Sequence, residues 1–472
     1  MTSIKFLLLN FLIFNLSSQE TEQKSNFPAL RILALKAINA EIQKNVASDL
    51  FQQTLLNAPP DLIEELLENL DFVKQRSLID HENLSNIIIS ADGKRVAAIE
   101  YHPYDIFGSH PKHLIIEEDG KVKSIDGRFL CFVADKLINI IVAILKDYTL
   151  SFQPVSLMIF DKNGNVIKQI FDNYFRPKIS DDGSIIAAAK STPLNNIDID
   201  IFDRGGMLLK TIAVEANCFL TNIILNHDGS IIAKKQESRD SHKNFTDLVD
   251  IKTGKSTHNN MKLFNFNERR YIYTLDNIAL LIFSEGKLFK HIMITDIGHT
   301  NIASDAALNK LIYIKDNRYK IHILDSDITV DTNIEAKQLG DENYVIMQDR
   351  GDFAIISTKY ACNPVEKFLI DTRNGKVIKK IDNNLRTTTA DFSHMLSKNG
   401  QTFTIYASPL YNAIQKIISQ NNVTDLKYLL SLIEDHTPQF RRHLGELRLN
   451  EVQDTIRQKL EEQIWNLLKA TY

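Results

Sequence analysis

The chain has 472 residues, of which 44% are apolar and 24% charged, ordinary for a soluble globular protein and long enough for two or three domains or one large repeat domain with helical flanks. A formal net charge of −4 argues against nucleic acid as the main ligand, because phosphate binding needs a concentrated Lys/Arg surface. The three cysteines, Cys131, Cys218 and Cys362, show neither CxxC nor Cys/His spacing, so they give no disulfide framework and no zinc site. Each is expected as a small apolar residue on or near a strand.

Residues 1–19 have the layout of a signal peptide: Lys5, the apolar run 6–16, then Ser17-Ser18-Gln19. The run is too short to anchor in a bilayer, and no other segment is apolar enough to cross one. Asn10 and Asn15 keep a buried amphipathic helix open as the alternative. Export to the periplasm or medium is therefore the expected localisation, with the cytoplasm as the alternative.

Residues 27–70 read as helical. Leu30, Leu33, Ala34, Ala37, Ile38 and Ile42 recur at three- and four-residue steps after Pro28, one face of a helix. A middle helix is expected to start at Ser48 or Asp49. Pro59-Pro60-Asp61 then opens a third, carrying Leu62, Leu66, Leu67 and Leu70, with Asp61, Glu64 and Glu65 near its positive end.

Residues 71–410 repeat. One unit reads Ser90-Ala91-Asp92-Gly93 before an apolar strand and returns at Ser180–Gly183, Asn226–Gly229, Gln348–Gly351 and Ser397–Gly400. A second reads Asp161-Lys162-Asn163-Gly164 and returns at Asp203–Gly206, Asp250–Gly254 and Asp371–Gly375. Asp-Gly and Asn-Gly between apolar runs signal hairpins, because glycine accepts the positive φ of a tight turn. The period is about 45 residues, and two hairpins per period make the four strands of a propeller blade. Seven complete units and a partial eighth are counted, with 72–78 available to complete the last one. The expected fold is a mainly β, seven-bladed propeller with helices at both ends, eight blades being the alternative. Units near 263–295 and 300–336 are degenerate.

Residues 411–472 return to helical spacing. Leu410, Ile414, Ile417 and Ile418 start one run, and Thr424 is the expected N-cap of a second with Leu426, Leu429, Leu430 and Ile433. Val452, Ile456, Leu460, Ile464 and Leu467 continue the pattern. This tail is expected to fold onto its own chain rather than form a coiled coil.

The repeat motifs resemble WD40-type repeats, whose hairpins often read Ser-Pro-Asp-Gly and Asp-x-x-Thr-Gly-Lys. Departures are visible: Gly298-His299 stands outside the repeat frame, and the single Trp, Trp465, lies in the tail. The N-terminal helices resemble a SOCS box. Ala29, Leu30, Ala34 and Ile38 fall on that family's elongin-binding positions and Leu33 widens the stripe. Leu56, Pro59, Leu62 and Leu66 match its cullin-recruiting segment, while Ala34, Asn57 and Glu65 depart from it. An F-box and a simple helical cap remain alternative readings of 27–70. The resemblance implies a substrate-recruiting adaptor that binds elongin B and C through Leu30, Leu33, Ala34 and Ile38, and a cullin through Leu56, Pro59, Leu62 and Leu66. It agrees with the export signal if the chain is delivered by a bacterium into a host.

No GxSxG, GxxxxGK or HExxH occurs. Asp198-Ile199-Asp200-Ile201-Phe202-Asp203 suggests calcium at first sight, but its alternation with isoleucine fits a half-buried strand, and the EF-hand Gly and Glu are missing. His102, His110 and His113 read as a solvated turn. Asn83, Asn244 and Asn422 head glycosylation-type triplets that are common by chance. The sequence therefore points to a non-catalytic protein–protein scaffold without cofactor or metal, possessing no nucleic-acid partner; an exported propeller assembling with envelope proteins is the alternative.

Overall fold

A computed structural model describes residues 49–471, apart from intervening stretches of which the longest are 101–112, 147–154, 294–301, 336–343 and 359–365. The run 1–19, the first predicted helix with Leu30, Leu33, Ala34 and Ile38, and Pro59 lie outside the described residues. The chain divides into two compact units: a sheet unit, Leu78–Ala390 with Lys398–Phe403, and a helix-rich unit drawn from both ends of the chain.

The strands assemble into eight four-stranded antiparallel sheets. Blades 1 to 7 are each made of four consecutive strands: β2–β5 (84–125), β6–β9 (129–171), β10–β13 (174–213), β14–β17 (218–259), β18–β21 (262–293), β22–β25 (303–335) and β26–β29 (344–381). The eighth sheet runs in the order β1-β32-β31-β30, combining β30–β32 (385–407) with β1 (Val73–Leu78). The seven-bladed expectation is corrected to eight. Eight is the alternative count, and the partial unit is completed, as expected of 72–78, by β1 from the other end of the chain.

Neighbouring blades are joined in sequence. First strands lie side by side in blades 1 and 2, 2 and 3, 3 and 4, and 6 and 7, and β30 of the eighth lies beside β2 of the first. β16 (Asn244–Asp250) lies beside β18 (Lys262–Phe266) between blades 4 and 5. Blades 5 and 6 share a core containing Ile272, Leu280, Leu311 and Tyr313. Lys367 of blade 7 donates to the Leu385 carbonyl of blade 8 at 2.6 Å. The ring is closed.

The first hairpins explain the period in the blades where they are described. In blade 1, Gly93 at φ 68° lets its N–H reach the Ser90 carbonyl (2.8 Å), while Ser90 Oγ accepts from the Arg95 N–H (2.9 Å). Blade 4 repeats this with Asn226, whose Oδ1 accepts from the Ile231 N–H at 2.8 Å. In blades 2 and 6 the same role falls to Asp135 and Asp305, whose Oδ1 atoms accept from Ile140 N (2.9 Å) and Lys310 N (2.9 Å). There the left-handed position is held by Ile138 and Leu308, φ 55° and 51°, which is why no glycine marks those blades. The turns also clasp one another: Ala91 N donates to Lys136 O, Lys136 N to Asp181 O, and Asp181 N to His227 O, at 2.9, 3.0 and 3.0 Å.

In the helix-rich unit, α1 (Asp49–Asn57) and α2 (Pro60–Asn69) share one core with α3 (Leu410–Gln420), α4 (Val423–Asp435) and α5 (Thr437–Thr471). Phe51, Leu55, Ile63 and Leu66 meet Ile414, Ile417, Ile433 and Phe440 there. Fully buried Arg442 donates to the carbonyls of Leu67 and Glu68, and His443 Nε2 lies 2.7 Å from Leu67 O. A cation thus satisfies the orphan carbonyls at the negative end of α2. The cap of α4 is Asn422 rather than Thr424: its side chain accepts from Thr424 N (3.0 Å) and Asp425 N (3.4 Å).

Candidate interaction surface

The outermost strand of each blade is an edge, and edges are usually blunted by charge because their unpaired backbone invites other chains. Here the edges carry exposed apolar residues alongside their lysines. Val166, Ile167 and Phe171 on β9 (Val166–Phe171) are exposed, as are Met207, Leu208 and Leu209 at β13 (Leu208–Ala213). Phe171 is 69% and Met207 63% accessible. Leu288, Phe289 and Met293 repeat the pattern on β21 (Lys287–Met293).

The rims of blades 2 and 3 abut. A Cβ on Gly206, in the outer turn of blade 3, would come within 2.8 Å of the Lys168 side chain on β9. Between blades 1 and 2 runs a groove of about 290 Å³ lined by Ile116, Val122, Lys121, Lys123, Lys162 and Asn163. Lys123 crosses it, donating to the Asn163 carbonyl at 2.6 Å. Lys210 of blade 3 reaches the Ile251 carbonyl of blade 4 in the same way, at 2.9 Å. Lys123 and Lys210 are thereby drawn into inter-blade staples, while Lys121, Lys162 and Lys168 stay exposed among the apolar residues of this rim. Burying one such Leu or Phe side chain against a partner is worth about 1.5–3 kcal/mol, so a few anchors suffice for binding.

Two polar clusters lie beside this rim. In blade 3, buried Asp200 on β12 (Ile197–Asp203) accepts from Tyr174 OH (2.8 Å) and Thr211 Oγ1 (2.7 Å) and pairs with Lys190 Nζ (3.0 Å), which also reaches Asp172 (3.6 Å). Burial, followed by the Asp200 hydrogen bond and charge, pushes the Tyr174 phenol well above its usual range. The same carboxylate raises the Lys190 ammonium against an opposing burial effect. In blade 4, buried Asp247 binds Gln236 Nε2 (2.7 Å), Lys234 Nζ (3.1 Å) and His258 Nδ1 (2.7 Å). Ligand atoms of Glu215, Asp247 and His258 all lie within 4.8 Å of one another.

The residues singled out in the sequence are dispersed. Leu62 and Leu66 are buried in the helical core and Leu56 is half-buried against it; the elongin-like residues and Pro59 lie outside the described residues. Cys131 and Cys218 sit on strands outside any disulfide, and burial pushes the Cys131 thiol up; Cys362 lies outside the described residues. His113 pairs with Asp126 at 2.9 Å, while His102 and His110 lie outside them. The half-buried-strand reading of 198–203 needs correction at Asp200, which is buried together with Ile199 and Ile201 and is held there by its ion pair. The apolar rim escaped the sequence reading. Its signal was present as Gly164-Asn165-Val166-Ile167 and Gly206-Met207-Leu208-Leu209, runs that mark a strand without telling which edge it takes.

No protein-family model matches the chain, and no curated protein matches it. Among solved structures, it is similar to the β-propeller domain of Myceliophteria thermophila Cps50 (Swd1), at 11% identity over 59% of this chain and 96% of that one, TM-score 0.38. It is also similar to the β-propeller domain of the Trilobed protease from Pyrococcus furiosus, which has an open velcro topology: 11% identity, 61% and 95% coverage, TM-score 0.39. A prolyl endopeptidase structure matches at 12% identity over 79% of this chain and 56% of that one, TM-score 0.43. Among the described residues no helix is long and apolar enough to cross a membrane.

Proposed function

We propose that this chain is a non-catalytic protein-binding scaffold that docks partners on the apolar outer rim of blades 1–3. The observation that carries the reading is the exposed apolar residues on two abutting edge strands, Val166, Ile167 and Phe171 along one and Met207, Leu208 and Leu209 at the next. Large exposed apolar patches mark interaction sites, and an exposed strand edge can also add a strand from a partner. The test is affinity capture from native cells with wild type and the Phe171→Glu, Leu208→Glu double variant. Both positions are exposed, so stability should stay within about 0.5 kcal/mol, while specific co-purifying proteins are lost. Recovery of the same proteins by a folded variant would end the proposal.

A narrower form makes the chain a cullin–elongin adaptor, supported by the resemblance of 27–70 to a SOCS box. Leu30, Leu33, Ala34 and Ile38 would enter the elongin groove as an aliphatic stripe. The cullin contact would fall on Leu56 and Pro59, because Leu62 and Leu66 are used by the chain's own core. Pull-down with purified elongin B and C compares wild type with Leu30→Asp; a wild type that does not bind excludes this form. Export is proposed from the layout of residues 1–19, and N-terminal sequencing of the mature chain should find them removed.

A further inference from the structure

The blade 3 and blade 4 polar clusters are the same site in two versions. Asp200 lies opposite Thr211 on the outermost strand, and Asp247 lies opposite His258. On the second strand, Ala188 faces Asp200 and Lys234 faces Asp247, so two residues further on Lys190 corresponds to Gln236. The crossovers correspond too: the Asp172 carbonyl accepts from Tyr174 N and the Glu215 carbonyl from Cys218 N, each the first residue of the next blade. In blade 3 the two carboxylates, Asp172 and Asp200, share one cation, the Lys190 ammonium, at 3.6 and 3.0 Å. In blade 4 that position holds a neutral amide. Lys234, directly across from Asp247, instead pairs with Oδ2 and donates to the Ala213 carbonyl, and among the described residues Glu215 forms no ion pair.

We infer that Glu215, Asp247 and His258 form a divalent-cation site of the zinc class, the metal lying on the Oδ1 side of Asp247, beside the Gln236 amide that replaces the blade 3 lysine. The donor set is one imidazole and two carboxylates, which suits zinc. Asp247 Oδ1 faces His258 Nδ1 at 2.7 Å, while Oδ2 is held by Gln236 and Lys234, an outer shell that fixes the carboxylate. Zinc bonds of about 2.0–2.2 Å put tetrahedral donors roughly 3.4 Å apart. The three donor atoms lie within 4.8 Å, so closing the set requires the exposed Glu215 side chain to turn in and the Asp247–His258 pair, now 2.7 Å apart, to open toward that donor spacing of roughly 3.4 Å. A fourth position stays open to water or to a donor from a bound partner. The metal would tie the blade 3–4 crossover onto the outer edge of blade 4.

The test is calorimetric titration of the full chain with zinc chloride, alongside thermal unfolding. Wild type should bind one Zn²⁺ per chain with a raised Tm, because a ligand that binds only the folded state stabilises it. His258→Ala should weaken binding at least tenfold. Gln236→Lys, which recreates the arrangement of blade 3, should do the same while keeping the native circular dichroism. His227→Ala removes an exposed histidine paired with Asp181 and should leave binding intact. Absence of binding by wild type, wild-type affinity in either site variant, or equal loss in all three variants overturns the site.

Discussion

At the scale of single residues, the first-hairpin turns set backbone strain against burial. Ile138 and Leu308 occupy left-handed backbone, where glycine stands in blades 1, 3, 4 and 7. A residue with a Cβ there costs about 1–2 kcal/mol, yet both side chains are buried, Ile138 with Phe129 and Phe160 among others. Removing a buried Ile side chain costs about 2–5 kcal/mol. The apolar anchor wins, so Ile138→Gly should lower stability by about 2 kcal/mol in urea unfolding despite the relief of strain; a more stable variant would refute this balance.

The same turns predict a pH dependence. Burial, opposed by backbone hydrogen bonds and Lys310, raises the Asp305 carboxyl above the usual carboxylate range. A raised acid holds its proton more tightly in the folded state, so its contribution is fully present below the unfolded value and is lost as pH rises through the folded one. Asn226 shows that an amide fills this role in blade 4. Asp305→Asn should therefore stabilise the protein at neutral pH and remove its share of the decline, read as Tm against pH. An unchanged profile would show that Asp305 carries no such cost. Asp182 and Asp331 have the opposite sign. Hydrogen bonds from Ser180 and Ser184 lower Asp182 against burial, and Lys320 lowers Asp331, so their contribution is present above the usual carboxylate value and lost as pH falls.

At the scale of elements, the helix-rich unit depends on residues far apart in sequence. Arg442 on α5 is buried and closes the end of α2. Hydrogen bonds to a charged group contribute about 1.5–3 kcal/mol, and Arg442→Met should cost about 2 kcal/mol, seen as earlier loss of the helical signal at 222 nm. A coincident melt with wild type would show that the carbonyls find another partner. The helices themselves were legible from apolar spacing. Their mutual packing was not, because periodicity gives each helix a buried face without naming the neighbour; Leu62 and Leu66 were read as a partner's contacts and are core residues. Glycine turns revealed most blades for a physical reason, their positive φ. They were silent where Ile138 and Leu308 tolerate it. The rim and the Glu215–Asp247–His258 group form only when strands from one sheet, and the crossover leading into it, are brought together.

At the scale of the whole molecule, eight sheets form the propeller, and the eighth takes β1 from before the first blade and β30–β32 from after the seventh. Closure covers the two sheet faces that a linear stack of blades would expose at its ends. The outer edges are left, and these carry the proposed docking surface. Amide hydrogen exchange of the full chain tests closure directly. Peptides covering 73–78 and 394–407 should be protected and open together, as strands of one sheet. Exchange of 73–78 at the rate of an unpaired segment, with the other blades still protected, would contradict it.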